Sequence, residues 1–144
     1  MSERVDILVV GGGIVGLSSA IAMALRHFSV LVLDAGALNA NDVAKSSRVY
    51  AINRASKALF EALGVWSLLP QDALSPYQGM HVWDEANFAQ LDFCAQDLAS
   101  TELGFILEEH VLRQALLKRV STLSVALLPH ARVVGCIETP SGIQ

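Results

Sequence analysis

Glycines at positions 11, 12, 13 and 16 break up an otherwise apolar N-terminal stretch, and they restrict this chain more than any other feature. Ile7 to Leu25 is nineteen residues without a charge, long enough to cross a bilayer as one helix. The internal pattern points elsewhere. Val5-Asp6-Ile7-Leu8-Val9-Val10 before the glycines is the short apolar run of a strand buried in a parallel sheet. Ile14 to Arg26 after them is rich in Ala, Leu and Met and reads as a buried helix. Val30-Leu31-Val32-Leu33 then supplies a second strand, closing a βαβ unit of about thirty residues.

A secretory signal is a poor match. The start Ser2-Glu3-Arg4-Val5-Asp6 carries two acids and one base, and another apolar run follows in place of a polar mature chain. The expectation is therefore no transmembrane segment and a cytoplasmic chain. A reducing compartment also suits Cys94 and Cys136, which lie in no metal or redox spacing.

Gly11-Gly12-Gly13-Ile14-Val15-Gly16 matches the pattern G-x-G-x-x-G. Each glycine of the pattern meets a separate demand: Gly11 allows the tight strand-to-helix turn, Gly13 lets a pyrophosphate approach the backbone, and Gly16 lets helix and strand pack closely. Free N–H groups at the helix start, around Ile14 and Val15, then hold phosphates with help from the helix dipole. Asp34 closes the next strand, eighteen residues beyond Gly16, where a carboxylate accepts hydrogen bonds from ribose hydroxyls and repels a 2′-phosphate. Ala20 supplies a small helix position. The motif disfavours NADP as its ligand and does not separate FAD from NAD, which share the adenosine-pyrophosphate half.

Composition removes other classes. With 53% apolar and 17% charged residues in 144, the chain holds enough apolar surface to order itself, which excludes intrinsic disorder. Ten basic and fourteen acidic residues, with no basic run, exclude a nucleic-acid footprint. His27, His81, His110 and His130 show no ligand spacing, and no metal is expected.

Further along, Ala35 to Ser47 reads as a loop, Arg48 to Ile52 as a short strand, and Asn53 as the cap of a helix reaching Leu63 and ended by Gly64. Between Pro70 and Gly104 the alternating stretches Met80-His81-Val82-Trp83 and Gln90-Leu91-Asp92-Phe93 predict an antiparallel hairpin. Phe105 to Leu107 reads as a strand, Glu109 to Thr122 as a helix, and Val125 to Leu128 and Arg132 to Ile137 as the last strands. Trp66, Trp83 and Phe88 read as core or domain-contact aromatics. The pattern is α/β with an embedded β-rich excursion. It suggests three parts: 1–69, a βαβ unit and following helix; 70–104, the excursion; and 105–144, a return to the first domain.

Several segments together resemble the flavoprotein aromatic hydroxylases, in particular the UbiH/UbiF/VisC group of ubiquinone-biosynthesis monooxygenases. They are Asp6 through Leu17, Val30 through Asp34, Ser47-Arg48-Val49-Tyr50-Ala51-Ile52-Asn53, Leu63-Gly64-Val65-Trp66, and Val111-Leu112-Arg113-Gln114-Ala115-Leu116. The resemblance implies a Rossmann-like FAD/NAD(P)-binding domain, with the excursion belonging to a substrate domain. It assigns Gly11, Gly13, Ile14, Val15, Gly16 and Asp34 to the ADP half of FAD, and Arg48 and Arg113 to further FAD contacts. Glu108 matches a polar position near the cofactor. Two departures stand out: Asp34 where the family usually has Glu, and His27 where a glycine commonly ends the helix.

The resemblance further implies NADPH as reductant, a flavin C4a-hydroperoxide, and transfer of one oxygen of O2 to a polyprenylated phenol or benzoquinol. No side chain is assigned as a catalytic acid, base or nucleophile. Such a substrate implies a cytoplasmic enzyme peripheral to the inner membrane, in contact with other ubiquinone-biosynthesis proteins. The family's later Gly-Asp segments have no counterpart before Gln144. A truncated portion is therefore expected, binding FAD weakly alone, hydroxylating nothing, and inclined to homo-oligomerise through apolar surface. Two other readings stand beside this one: an independent NAD- or ADP-ligand-binding module without oxygen chemistry, and a D-amino-acid-oxidase-like flavoenzyme.

Overall fold

The apolar run before the glycines forms β1 (Ile7–Val10) and the stretch after them α1 (Ile14–Ala24), in a computed structural model that describes residues 4–45, 47–85, 89–140 and 142–143. There follow β2 (Val30–Leu33), β3 (Val49–Asn53), α2 (Arg54–Ala62), β4 (Ser75–Tyr77), β5 (Gly79–Trp83), β6 (Gln90–Cys94), β7 (Gly104–Glu108), α3 (Glu109–Val120) and β8 (Val125–Leu128). The short β9 (Glu138–Thr139) and β10 (Gly142–Ile143) close the series. The chain divides into two units, Met1–Ala44 with Arg113–Gln144 and Lys45–Leu112.

In the first unit, β1, β2 and β8 form a parallel sheet in that order. Ile7 lies opposite Val30 and Val10 opposite Leu33, while Val30 lies opposite Val125 on the other side. With neighbours on both edges, β2 is the strand that loses its solvent: Val30 and Val32 are 2% and 0% exposed. Leu17, Ala20 and Ile21 of α1 are fully buried, at the three- and four-residue spacing of one helix face. Each large side chain so buried contributes about 1.5–3 kcal/mol relative to exposure. Leu116 and Val120 of α3 complete the same unit's core. The nineteen uncharged residues are thus a strand, a turn and an eleven-residue helix. Among the described residues no helix is long and apolar enough to cross a membrane.

The end of α1 accounts for His27. The His27 N–H donates to Ala24 O at 2.9 Å and the Phe28 N–H to Met23 O at 3.2 Å, the paired bonds of a Schellman motif. That motif needs a left-handed residue, and His27 adopts φ 66°.

In the second unit, β3, β7 and β4 form an antiparallel sheet with β7 central, Tyr50 opposite Leu107 and Pro76 opposite Phe105. The side chain of Asn53 accepts the Ser56 N–H at 2.8 Å and caps α2, whose end passes into Gly64. Ile52, Phe60, Leu63, Val65, Leu69 and Leu107 are buried here. Trp66 packs edge-on against Phe105 at 5.4 Å between ring centroids, and Lys57 Nζ lies over both rings.

The predicted hairpin is present as β5 and β6, with Met80 opposite Phe93 and Val82 opposite Leu91. Every residue of β5 is exposed. Trp83 is therefore not a core residue: it is 65% exposed and stacks on His81, which pairs with Asp92. Phe88 lies outside the described residues. Arg132 to Ile137 does not form the predicted strand. Val134 and Ile137 are 95% and 68% exposed, and no described strand lies beside the segment to take its backbone groups. Pairing resumes only at β9 and β10, where Thr139 lies opposite Gly142.

Candidate cofactor site

The chain leaves β1 through Gly11, whose φ of +103° is a conformation that L side chains rarely adopt. Its N–H donates to Leu33 O at 2.8 Å, fastening the start of the turn to the end of β2. One helical turn on, a Cβ at Gly16 would stand 1.9 Å from Gly11 O and 3.3 Å from Val9 Cγ1. Gly16 is thus the point where helix and turn touch, and any larger residue pushes them apart. At Gly11 and Gly13 an added Cβ would meet nothing within 4 Å, so the outer side of the turn is open.

Gly13 is the N-cap of α1 and makes no side-chain cap. The amides of Gly13, Ile14 and Val15 have no carbonyl one turn earlier to accept them, as at every helix start. Together with the partial positive charge of the helix end, they form a row of donors suited to an anion.

Asp34 stands beside this row. Its Oδ2 accepts the Gly12 N–H at 2.6 Å and its Oδ1 the Gly36 N–H at 2.7 Å. Its own N–H donates to Leu128 O at 3.2 Å, and its carbonyl accepts the Ala131 N–H at 2.9 Å. Backbone and carboxylate are therefore both held. Burial alone would raise the carboxyl pKa, but the Gly12 and Gly36 amides and the Arg113 guanidinium outweigh it and keep the pKa below its ordinary value. The shorter Asp arm reaches the glycine turn directly.

Arg113, near the middle of α3, is half-buried. Its Nε donates to Gly12 O at 3.2 Å and its Nη2 to Ala37 O at 2.9 Å. The structure thus brings Gly11, Gly13, Ile14, Val15, Gly16, Asp34 and Arg113 together in one unit. The motif gave Gly12 no role of its own, yet it is the residue that Asp34 and Arg113 both hold. A Cβ there would stand 2.2 Å from Leu38 Cδ2. The signal was available in the middle of the three consecutive glycines, at a position the motif leaves free.

Arg48 belongs to the second unit, just before β3. Its Nη1 lies 3.7 Å from Glu109 Oε1, and the Tyr50 hydroxyl donates to the same oxygen at 3.4 Å. The Tyr50 side chain first, then the Glu109 charge, raise the guanidinium pKa. Neither Tyr50 nor Glu109 carried a sequence signal of its own. Glu108 ends β7 exposed, with Oε2 3.3 Å from His110 Nδ1.

Comparison with known proteins gives this geometry a family. The profile of the family described as "FAD dependent oxidoreductase" matches residues 6–143. The chain is 36% identical over 118 residues to the 3-demethoxyubiquinol 3-hydroxylase of Escherichia coli, covering 80% of this chain and 30% of that protein. It is 34% identical over 141 residues to the ubiquinone hydroxylase UbiL of Rhodospirillum rubrum, covering 96% and 32% respectively. Among solved structures, the flavin-dependent monooxygenase PieE, in complex with FAD and substrate, superposes with a TM-score of 0.73 at 18% identity. That match covers 99% of this chain and 26% of PieE. The chain spans about a third of the length of the curated relatives it matches.

Proposed function

This chain belongs to the FAD-dependent oxidoreductase family, and from that premise we propose that its first unit holds the ADP half of FAD. We propose further that this protein acts in the hydroxylation of a polyprenylated phenol or benzoquinol in ubiquinone biosynthesis. The observation that carries the first statement is the glycine turn. It presents an uncapped row of helix-start amides on an open side, with the Asp34 carboxylate fixed next to it. These residues fit the group: amides for the pyrophosphate and a carboxylate for the adenosine ribose. A 2′-phosphate at that carboxylate is disfavoured by like charge, so NADPH serves as reductant from elsewhere and not as the ligand of this turn.

When bound, the flavin supplies the activation of O2 with electrons from NADPH. The residues of this chain bind and orient. Gly13, Ile14 and Val15 donate to phosphate oxygens, Asp34 accepts from ribose hydroxyls, and Gly16 keeps the helix start against the turn. Arg48, held by Tyr50 and Glu109, is assigned to the flavin side. The substrate assignment draws on the two relatives named as hydroxylases of ubiquinone precursors or ubiquinone. Such a substrate places the enzyme in the cytoplasm at the surface of the inner membrane, alongside other ubiquinone-biosynthesis proteins. Within this reading, residues 1–69 and 105–144 serve the cofactor and 70–104 reaches toward substrate.

A stand-alone NAD- or ADP-binding module is less well supported, since the two relatives described above are named as hydroxylases. Parallel titrations with FAD, NAD and ADP-ribose separate the two. Saturable FAD binding in excess of NAD binding supports the flavoprotein reading, and tight NAD binding with no FAD binding would remove it.

A further inference from the structure

We propose that Arg113 acts on the bound pyrophosphate through the Gly12–Gly13 peptide and without touching the ligand, an inference that rests on the ADP-half reading above. The Gly12 residue is gripped from both sides. Its N–H donates to Asp34 Oδ2 at 2.6 Å, and its carbonyl accepts Arg113 Nε at 3.2 Å. The other end of the guanidinium donates to Ala37 O at 2.9 Å, three residues past Asp34. One cation thus ties the glycine turn to the loop after β2.

The consequence follows from peptide geometry. Among the described residues no peptide bond is cis, and in a trans peptide the C=O of one residue and the N–H of the next point in opposite directions. With the Gly12 carbonyl drawn to the guanidinium, the Gly13 N–H is aimed away from it. Gly13 is exposed, and a Cβ added there would meet nothing within 4 Å. Arg113 therefore fixes the direction of the first donor in the anion row. A cationic donor on the carbonyl also polarises the peptide, which strengthens the N–H as a donor at its far end. The guanidinium is a positioning residue whose charge is felt by the phosphates through one intervening peptide.

This assignment differs from direct contact with the flavin, and the two are separable. Dissociation constants of the full chain for FAD, ADP and adenosine would be measured for wild type, Arg113→Met and Arg113→Lys, with each variant's fold checked by circular dichroism. Because Arg113 acts on the ligand through the peptide it holds, Arg113→Met is expected to weaken FAD and ADP by the same factor, about tenfold, as loss of an outer positioning partner does. Adenosine, which lacks the pyrophosphate, is expected to bind unchanged. Arg113→Lys keeps one cationic donor and should fall between the two. If Arg113→Met does not fold, the lysine variant carries the test, with a shared loss for FAD and ADP and none for adenosine. Loss for FAD alone would overturn the proposal in favour of a flavin contact. Equal loss for adenosine would reduce Arg113 to a structural residue, and no loss would remove its role altogether. A wild-type chain that bound neither FAD nor ADP would instead defeat the ADP-half reading, and this inference with it.

Discussion

The strands β2 and β5 are of similar length, four and five residues, yet they obey opposite constraints. β2 has a parallel neighbour on each edge, and its Val30 and Val32 are essentially inaccessible. β5 has one antiparallel partner, and all five of its residues are exposed. Around β2, atoms are already in contact and nearly every substitution must displace something. Around β5 there is room, and the hairpin is specified by cross-strand pairs such as Met80 with Phe93 and Val82 with Leu91. The turn that carries the cofactor reading thus sits where the packing is least forgiving, next to β1 and β2.

The sharpest way to break that comparison is a pair of glycine substitutions. Gly16→Ala puts a methyl group 1.9 Å from the Gly11 carbonyl oxygen. Because backbone must move, we expect a loss of about 3 kcal/mol in chemical denaturation, together with loss of nucleotide binding. Gly79→Ala in the hairpin meets Phe93 O at an ordinary 3.7 Å and should stay within about 0.5 kcal/mol of wild type. Similar costs at the two positions would erase the distinction.

Side-chain truncation extends the contrast at a smaller scale. Ile21, 0% exposed, should cost about 2–5 kcal/mol when cut to alanine. Leu91, 56% exposed, should cost less than about 0.5 kcal/mol. If Leu91→Ala proved as damaging as Ile21→Ala, the hairpin's apolar face would have to be a buried surface in solution.

A pH series tests the electrostatics of the first unit alone. The folded-state pKa of Asp34 is depressed, so its ionised form favours folding at every pH above the unfolded value, about 3.9. That contribution is lost as pH falls through the lower folded value. The stability gap between wild type and Asp34→Asn should therefore be constant from about pH 8 to pH 5 and close below about pH 4. A gap that closed between pH 7 and 5 would mean that the carboxylate is not held as described.

The smallest effect expected is a gain. His27 pays for a left-handed conformation at the end of α1, and His27→Gly should stabilise the chain by about 0.5–1 kcal/mol in thermal or denaturant unfolding.

These contrasts explain how much was legible in the sequence. The parallel sheet and its glycine turn were readable almost to the residue: Val30–Leu33 and Val125–Leu128 form as expected, and α1 begins at Ile14. Buried strands leave continuous apolar runs, and glycine turns have steric requirements that composition displays. The hairpin was readable from alternation, but the surroundings of Trp83 were not, because alternation reports a partner strand and not what covers the faces. Arg132 to Ile137 misled for a related reason: a β-like run forms a strand only when a neighbour takes its amides. The grip of Asp34 and Arg113 on Gly12 joins residues 22 and 101 positions apart, and no local pattern encodes such a contact.

The central claim is that the glycine-turn unit holds the ADP half of the flavin cofactor. Competition against bound FAD, followed by flavin fluorescence, tests it most directly. ADP should displace FAD fully and at a single site, while FMN, which lacks the adenosine diphosphate arm, should displace little at equal concentration. Displacement by FMN with no effect of ADP would contradict the account.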